Sequence, residues 1–130
     1  MIVDTSAIIA VLRNEPDAPA IGEALQRSQI CRVSAVTYVE AGVVTDSNRN
    51  PVLSRRLDDL IRDVRIKIET VTPQQAQIAR QAYRDFGRGR HKAGLNFGDC
   101  FSYALAKELD EPLLFKGTDF SHTDIDAADF

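Results

Sequence analysis

The sequence has few cysteines, no long apolar run and no excess of positive charge. No stretch approaches the eighteen or so apolar residues that a membrane span needs, and Met1-Ile2-Val3-Asp4 lacks the basic start of a secretory signal. A cytoplasmic protein without a membrane partner is expected. Cys31 and Cys100 lie far apart and form no Cys-x-x-Cys, which argues against a zinc site or a redox pair and for reduced, buried thiols. Internal repeats and low-complexity linkers are missing as well. A single domain over residues 1–130 is therefore expected, long enough to bury a real core and too short for a second one. The formal net charge of −3 gives no global attraction for nucleic acid.

What is present is ordinary in amount and uneven in distribution. An apolar fraction of 44% and a charged fraction of 27% mark a globular chain, not a disordered one. Residues 80–92 carry five basic side chains (Arg80, Arg84, Arg88, Arg90, Lys92) against Asp85, a local charge of +4. Residues 108–130 carry seven acids against Lys116 alone, a local charge of −6. Arg80, Arg84 and Arg88 repeat every four residues along one helix face. That stripe runs into a glycine-punctuated basic loop, residues 87–94, holding Arg88, Arg90, His91 and Lys92. Such a surface suits a phosphate backbone, and a solvated helix face with a flexible loop is the plainer alternative.

Taken in order, the pattern predicts a strand at residues 1–3, helices over 7–14 and around Ile21 and Leu25, and a strand at 30–33. A helix over 35–46 follows, capped by Ser34 and burying Val36, Val39 and Val43. Beyond a polar turn at 47–51 comes an amphipathic helix bearing Leu53, Leu57, Leu60, Ile61 and Val64, then a strand at 67–71. Thr72 and Pro73 open the next helix, whose buried face is expected to hold Ala76, Ala79, Tyr83 and Phe86. Asn96 opens a helix to Leu109 with Phe97, Phe101, Ala104, Leu105 and Leu109 as its apolar stripe, and a strand at 113–115 follows. This alternation predicts an α/β fold with a central parallel sheet of four to five strands and helices on both faces.

In such a sheet the working crevice lies beyond the carboxyl ends of the strands. Asp4 follows the first strand, Asp119 follows the last, Asp99 sits in the first turn of its helix, and Glu40 lies one turn into another helix. Each has a plainer role available. Asp4 is a fit N-cap, Asp99 a fit third residue of a capping box begun by Asn96, and Glu40 a rim residue reaching water. If all four converge, two carboxylates about 4 Å apart repel by about 4 kcal/mol at an effective dielectric near 20, and a cation relieves that. Hard oxygen donors without a cysteine pair or histidines favour Mg²⁺ or Mn²⁺ over Zn²⁺. Ions of that kind activate water and stabilise the oxygens of a phosphoryl displacement. Thr5 and Ser6 could orient Asp4 or a water through their hydroxyls, and Asn96 supports Asp99.

The residues 1–6 (Met-Ile-Val-Asp-Thr-Ser), Glu40, the run from Gly89 to Cys100 (Gly-Arg-His-Lys-Ala-Gly-Leu-Asn-Phe-Gly-Asp-Cys) and residues 114–120 (Leu-Phe-Lys-Gly-Thr-Asp-Phe) resemble the four acidic motifs of the PIN domain. More narrowly, the chain resembles the VapC-type ribonuclease toxins of bacterial toxin–antitoxin pairs, over essentially its whole length. The resemblance implies a PIN-like fold and a Mg²⁺-dependent endoribonuclease acting on structured RNA such as tRNA or rRNA. It also implies a homodimer and a cognate antitoxin whose C-terminal segment fills the active-site groove. Carried over by position, Asp4 and Asp99 are primary metal ligands, Glu40 is a ligand or water-positioning base, and Asp119 completes the quartet, although the tail also offers Asp124 and Asp126. Arg88, Arg90, His91, Lys92 and Lys116 are the candidate RNA contacts. Two rivals remain: a non-catalytic PIN-like module that binds RNA or an arginine-bearing partner peptide, and another Mg²⁺-using phosphotransfer domain of similar topology.

Overall fold

Four short strands, β1 (Ile2–Val3), β2 (Arg32–Ser34), β3 (Lys67–Glu69) and β4 (Leu113–Leu114), form one parallel sheet in the order β3-β2-β1-β4. The computed structural model describes every residue except Asn48, so the turn expected at residues 47–51 lies partly outside the described residues. Six helices connect and cover the strands: α1 (Thr5–Leu12), α2 (Ala18–Arg27), α3 (Ala35–Asp46), α4 (Pro51–Asp63), α5 (Pro73–Phe86) and α6 (Phe97–Leu109). A 3-10 turn spans Phe120–His122. Residues 126–128 run alongside β4, with the Leu113 amide donating to the Asp126 carbonyl at 2.8 Å and the Ala128 amide to the Leu113 carbonyl at 2.9 Å. This makes a rudimentary fifth strand, within the four to five expected.

Side chains alternate across a strand, so the sheet separates two apolar cores. Val3, Val33 and Leu114 face α1, α2 and α4 with Ile8, Ile21, Leu25 and Leu57, whereas Ile2, Leu113 and Phe115 face α5 and α6 with Ala79, Ala82, Ala104 and Leu105. Both residues of β1 and both of β4 are wholly buried, as expected for the middle of a parallel sheet covered on both faces. Each such aliphatic side chain contributes about 1.5–3 kcal/mol by leaving water. Helix starts follow local chemistry. Asp4, Ser34, Asn50 and Thr72 each accept a backbone amide of the following turn, and Pro51 and Pro73 occupy the first helical positions, where no amide is missed.

Several expected faces are wrong in detail. On α3 the buried stripe is Thr37, Ala41 and Thr45, and Val39 and Val43 are 59% and 62% exposed. Small residues allow α3 to approach its neighbours closely, and both threonine hydroxyls find partners: Thr37 with Ser102 at 3.0 Å, Thr45 with the Gly42 carbonyl at 3.1 Å. On α5 the buried set is Gln75, Ala79 and Ala82, while Ala76 and Tyr83 face out. Gln75 earns its place because its amide and the Thr72 hydroxyl both donate to the Glu108 carboxylate of α6. On α6 burial extends nearly around the helix from Gly98 to Ala106, but at its two ends Phe97 is 74% and Leu109 39% exposed. Strand β2 begins at Arg32 rather than Ile30, which is exposed.

Candidate active site

The strand order reverses direction at β1, whose neighbours are β2 on one side and β4 on the other. In open parallel sheets this is where the connections diverge and a crevice opens at the carboxyl ends. Asp4 stands at that end of β1. Its amide donates to the Leu114 carbonyl at 2.9 Å, and the Lys116 amide donates to the Ser6 hydroxyl at 3.0 Å, so the ends of β1 and β4 are tied together.

Asp4 is 3% exposed and its carboxylate is held from three directions. Oδ2 accepts from the Ser6 amide at 2.9 Å and the Ser6 hydroxyl at 2.7 Å, and Oδ1 accepts from the Ser102 hydroxyl at 2.6 Å. The residue that caps α1 is thus the acid the sequence singled out at the end of β1. Asp99 is likewise both a cap and a sequence-predicted acid. Asn96 Oδ1 accepts the Asp99 amide at 2.8 Å and Asp99 Oδ2 accepts the Asn96 amide at 2.9 Å, a closed capping box. Glu40, half-buried, accepts a short hydrogen bond from the Thr5 hydroxyl, and its carboxylate lies against the backbone of Gly98. A methyl group at Gly98 would stand 1.9 Å from Glu40 Oε2, so only glycine lets α3 bring this carboxylate onto the first turn of α6.

Burial first, and then the charges of Asp4, Asp119 and Glu40, push the Asp99 carboxyl up to about 7, with the Asn96 amide pulling in the opposite direction. All four acids named from the sequence thus act on one point. Asp119 is exposed and makes no capping bond with its side chain. Of the other tail acids, Asp124 is engaged away from this rim, accepting from the Tyr103 hydroxyl at 2.6 Å and the Lys107 ammonium at 3.1 Å.

The donor set fits a hard divalent cation in its chemistry: carboxylate oxygens only, with one carboxyl already carrying the strain of its neighbours' charge. The spacing is looser. Among the described residues no three His, Cys, Asp or Glu side chains are grouped tightly enough to ligate one ion as they stand. Like charges repel, and Asp4, Glu40 and Asp99 each turn instead to their own hydroxyl or amide donors.

Against this geometry, the PIN domain model matches residues 1–126 of the sequence. The chain belongs to the PIN-domain family. It is 58% identical over 129 residues to ribonuclease VapC28 of Mycobacterium tuberculosis and to VapC ribonuclease Mb0625 of Mycobacterium bovis, alignments covering 98% of this chain and 97% of each relative. Ribonuclease VapC42 of M. tuberculosis is 52% identical, with 96% of each chain covered. Among solved structures, M. tuberculosis VapC20, described as a sarcin-ricin loop cleaving toxin, superposes with a TM-score of 0.74 at 17% identity, covering 99% of this chain and 98% of that one. A toxin–antitoxin complex from Klebsiella pneumoniae gives a TM-score of 0.71 at 17% identity, covering 95% and 92%. Within the PIN-domain family the chain is one of the VapC ribonucleases.

The basic candidates of this PIN domain divide. Arg88, Arg90 and Lys92 are exposed, with Arg90 lying over the Tyr83 ring at 5.4 Å. His91 is turned inward. Its Nδ1 accepts the Ala93 amide at 3.0 Å and its ring meets Phe86 edge-on at 5.3 Å, so it shapes the loop. Lys116 is paired with Glu15 at 2.6 Å and Asp17 at 3.3 Å, which ties the turn after β4 to the α1–α2 connection. Sequence reasoning missed Ser102 and Gly98. The available signal was a hydroxyl within the otherwise apolar run of α6, three residues after Asp99.

Proposed function

We propose that this VapC-family chain hydrolyses RNA phosphodiester bonds with the help of Mg²⁺ or Mn²⁺, as the toxin of a toxin–antitoxin pair. The observation that carries the reading is the electrostatic convergence on Asp99: burial and three other carboxylates at the crevice make its charge costly, and a divalent cation is the natural remedy. When bound, such an ion would neutralise the cluster and stabilise charge on the attacking and leaving oxygens. Asp4 and Asp99 would hold it, with Glu40 and Asp119 as further ligands or, for Glu40, as the group that takes the proton of the attacking water. Thr5 and Ser6 keep Glu40 and Asp4 in orientation, and Asn96 does so for Asp99. Arg88, Arg90 and Lys92 provide positive charge for the substrate backbone. His91 supports them from within the loop, and Lys116 is drawn on only if it leaves Glu15 and Asp17.

The substrate we assign is structured RNA of the tRNA or rRNA class, and the partners are a cognate antitoxin and a second copy of the chain. The exposed apolar groove along α3, with Val39, Val43 and Phe97, is a surface that such protein contacts would cover. A single PIN domain over residues 1–130, working in the cytoplasm, completes the reading. Among the described residues no helix is long and apolar enough to cross a membrane. The looser spacing of the acids favours one alternative, a binding module whose acidic rim docks an arginine-bearing peptide. Purified chain incubated with total RNA separates the two. Cleavage that requires Mg²⁺ or Mn²⁺, stops in EDTA and is lost in Asp99→Asn is expected. Cleavage that survives EDTA would refute the metal dependence, and no cleavage with either metal would refute the enzymatic reading.

A further inference from the structure

We infer that Ser102, backed by Thr37, is a positioning residue that fixes the Asp4 carboxylate for metal binding. The inference rests on the functional reading above and goes past it, to residues outside the four acids. Ser102 and Thr37 are completely buried, on α6 and α3, and Asp4 nearly so. The Ser102 hydroxyl lies 2.6 Å from Asp4 Oδ1 and 3.0 Å from the Thr37 hydroxyl.

The direction of this chain follows from proton counting. An ionised carboxylate only accepts, so the single Ser102 proton goes to Asp4, and the Thr37 hydroxyl must then donate to Ser102. A hydroxyl that receives a hydrogen bond is a stronger donor, so Thr37 reinforces the bond that Ser102 makes. At 2.6 Å that bond has the length of a charge-assisted O–H to carboxylate contact. Counting acceptor sites gives the consequence. A carboxylate offers about four lone-pair directions. The Ser6 amide, the Ser6 hydroxyl and the Ser102 hydroxyl fill three, leaving about one for a cation. Ser6 is a neighbour in sequence and would hold Oδ2 in any folded state of this corner. Ser102 is the long-range restraint, and it decides whether the carboxylate can rotate about the Ser6 contact. Losing it should free that rotation and weaken the first metal ligand.

Two effects compete. Donation to a carboxylate draws charge away from it and weakens it as a ligand, whereas fixing its plane removes the entropy cost of ordering it around an ion. Outer partners of metal ligands generally raise affinity, by about 10- to 100-fold. Ordering is therefore assigned the larger share.

The test uses the full chain freed of metal, with Mn²⁺ alone as probe, titrated by calorimetry and by electron paramagnetic resonance. Ser102→Ala is expected to raise the Mn²⁺ dissociation constant by about 10- to 100-fold. The KM for RNA should be unchanged at saturating Mn²⁺. Thr37→Val, which keeps the shape and removes the donor, should move the constant in the same direction by a smaller factor, and Thr37→Ser should restore it. Thr37→Val also covers the case in which Ser102→Ala fails to fold. If folded variants lose thermal stability while the Mn²⁺ constant stays at the wild-type value, Ser102 and Thr37 are packing residues only and the inference is overturned. If the wild-type chain binds no Mn²⁺ and cleaves no RNA, the functional reading fails as well, a distinct result.

Discussion

Asp99→Asn separates the cost of the site from its function, because the substitution should stabilise the protein and abolish its activity. The Asn96 amide that Asp99 accepts at 2.9 Å can be accepted equally by the amide oxygen of asparagine, so the capping box survives. What disappears is a buried negative charge facing three others. The Asp99 carboxyl is pushed from 3.8 up to about 7. Near pH 3 it carries its proton folded or unfolded, and the site costs nothing. As pH rises from about 4 to about 7 the unfolded chain ionises first, so the folded state loses stability throughout that window, and above it the full penalty remains. With about 1.4 kcal/mol for each factor of ten, and a discount for water at the open rim, the penalty at pH 8 is about 2–4 kcal/mol. For a chain of this length that corresponds to about 7–15 °C in Tm.

The assay is thermal unfolding in EDTA from pH 4 to pH 8, wild type beside Asp99→Asn. The two curves are expected to meet near pH 4 and to diverge steadily, with the variant higher at pH 8. Adding Mg²⁺ should then raise the wild-type Tm and leave the variant nearly unmoved, since a ligand that binds only the folded state stabilises it by mass action. A pH-independent gap, or a variant less stable than wild type at pH 8, would show that the four carboxylates do not burden one another, and the argument for a cation would go with it.

Gly98→Ala should leave the fold intact, since the clash is with the far end of a side chain, yet it must push Glu40 aside, because the added methyl would stand 1.9 Å from Oε2. Thermal stability equal to or above wild type, combined with a fall in kcat of about 100-fold, is expected, and undiminished cleavage would remove Glu40 from the machinery. Replacing Arg88, Arg90 and Lys92 together by Ala should weaken RNA binding, measured in EDTA, and lower the slope of log K against log salt by about 2; an unchanged slope would assign the substrate backbone to another surface.

How much of this was legible in the sequence depends on whether the cause was local. Asp4, Ser34, Thr72 and the Asn96–Asp99 box announce themselves because a cap and the turn it begins are neighbours in the chain, and the alternation of apolar strands with amphipathic helices carries the parallel sheet. Faces decided by distant partners were misread. Periodicity put Val39, Val43 and Phe97 inside, because a side chain's apolarity was the only guide to what it would touch. In the folded chain α3 approaches α6 closely, and only small or hydroxyl-bearing residues fit between them. Thr37 and Gly98 therefore take the inner positions there, and the larger apolar Val39, Val43 and Phe97 are left outside. Lys116 and His91 were assigned to a substrate by charge and loop position, and their pairing with Glu15, Asp17, Ala93 and Phe86 depends on contacts that composition does not reveal.

The misread faces of α3 and α6 bear directly on the site. Local pattern is expected to fail where a fold gives up packing for chemistry. On α3 and α6, the two helices that deliver Glu40 and Asp99, hydroxyls are buried where an apolar residue would pack better, and valine and phenylalanine face water. The buried polar chain from Thr37 through Ser102 to Asp4 joins these same two helices to β1. Had that polarity served stability alone, an apolar contact of equal volume would have done as well or better, since a hydrogen bond adds only about 1 kcal/mol net when folded. Its end on Asp4, one of the carboxylates whose charge acts on Asp99, is the physical reason to read it as part of the site.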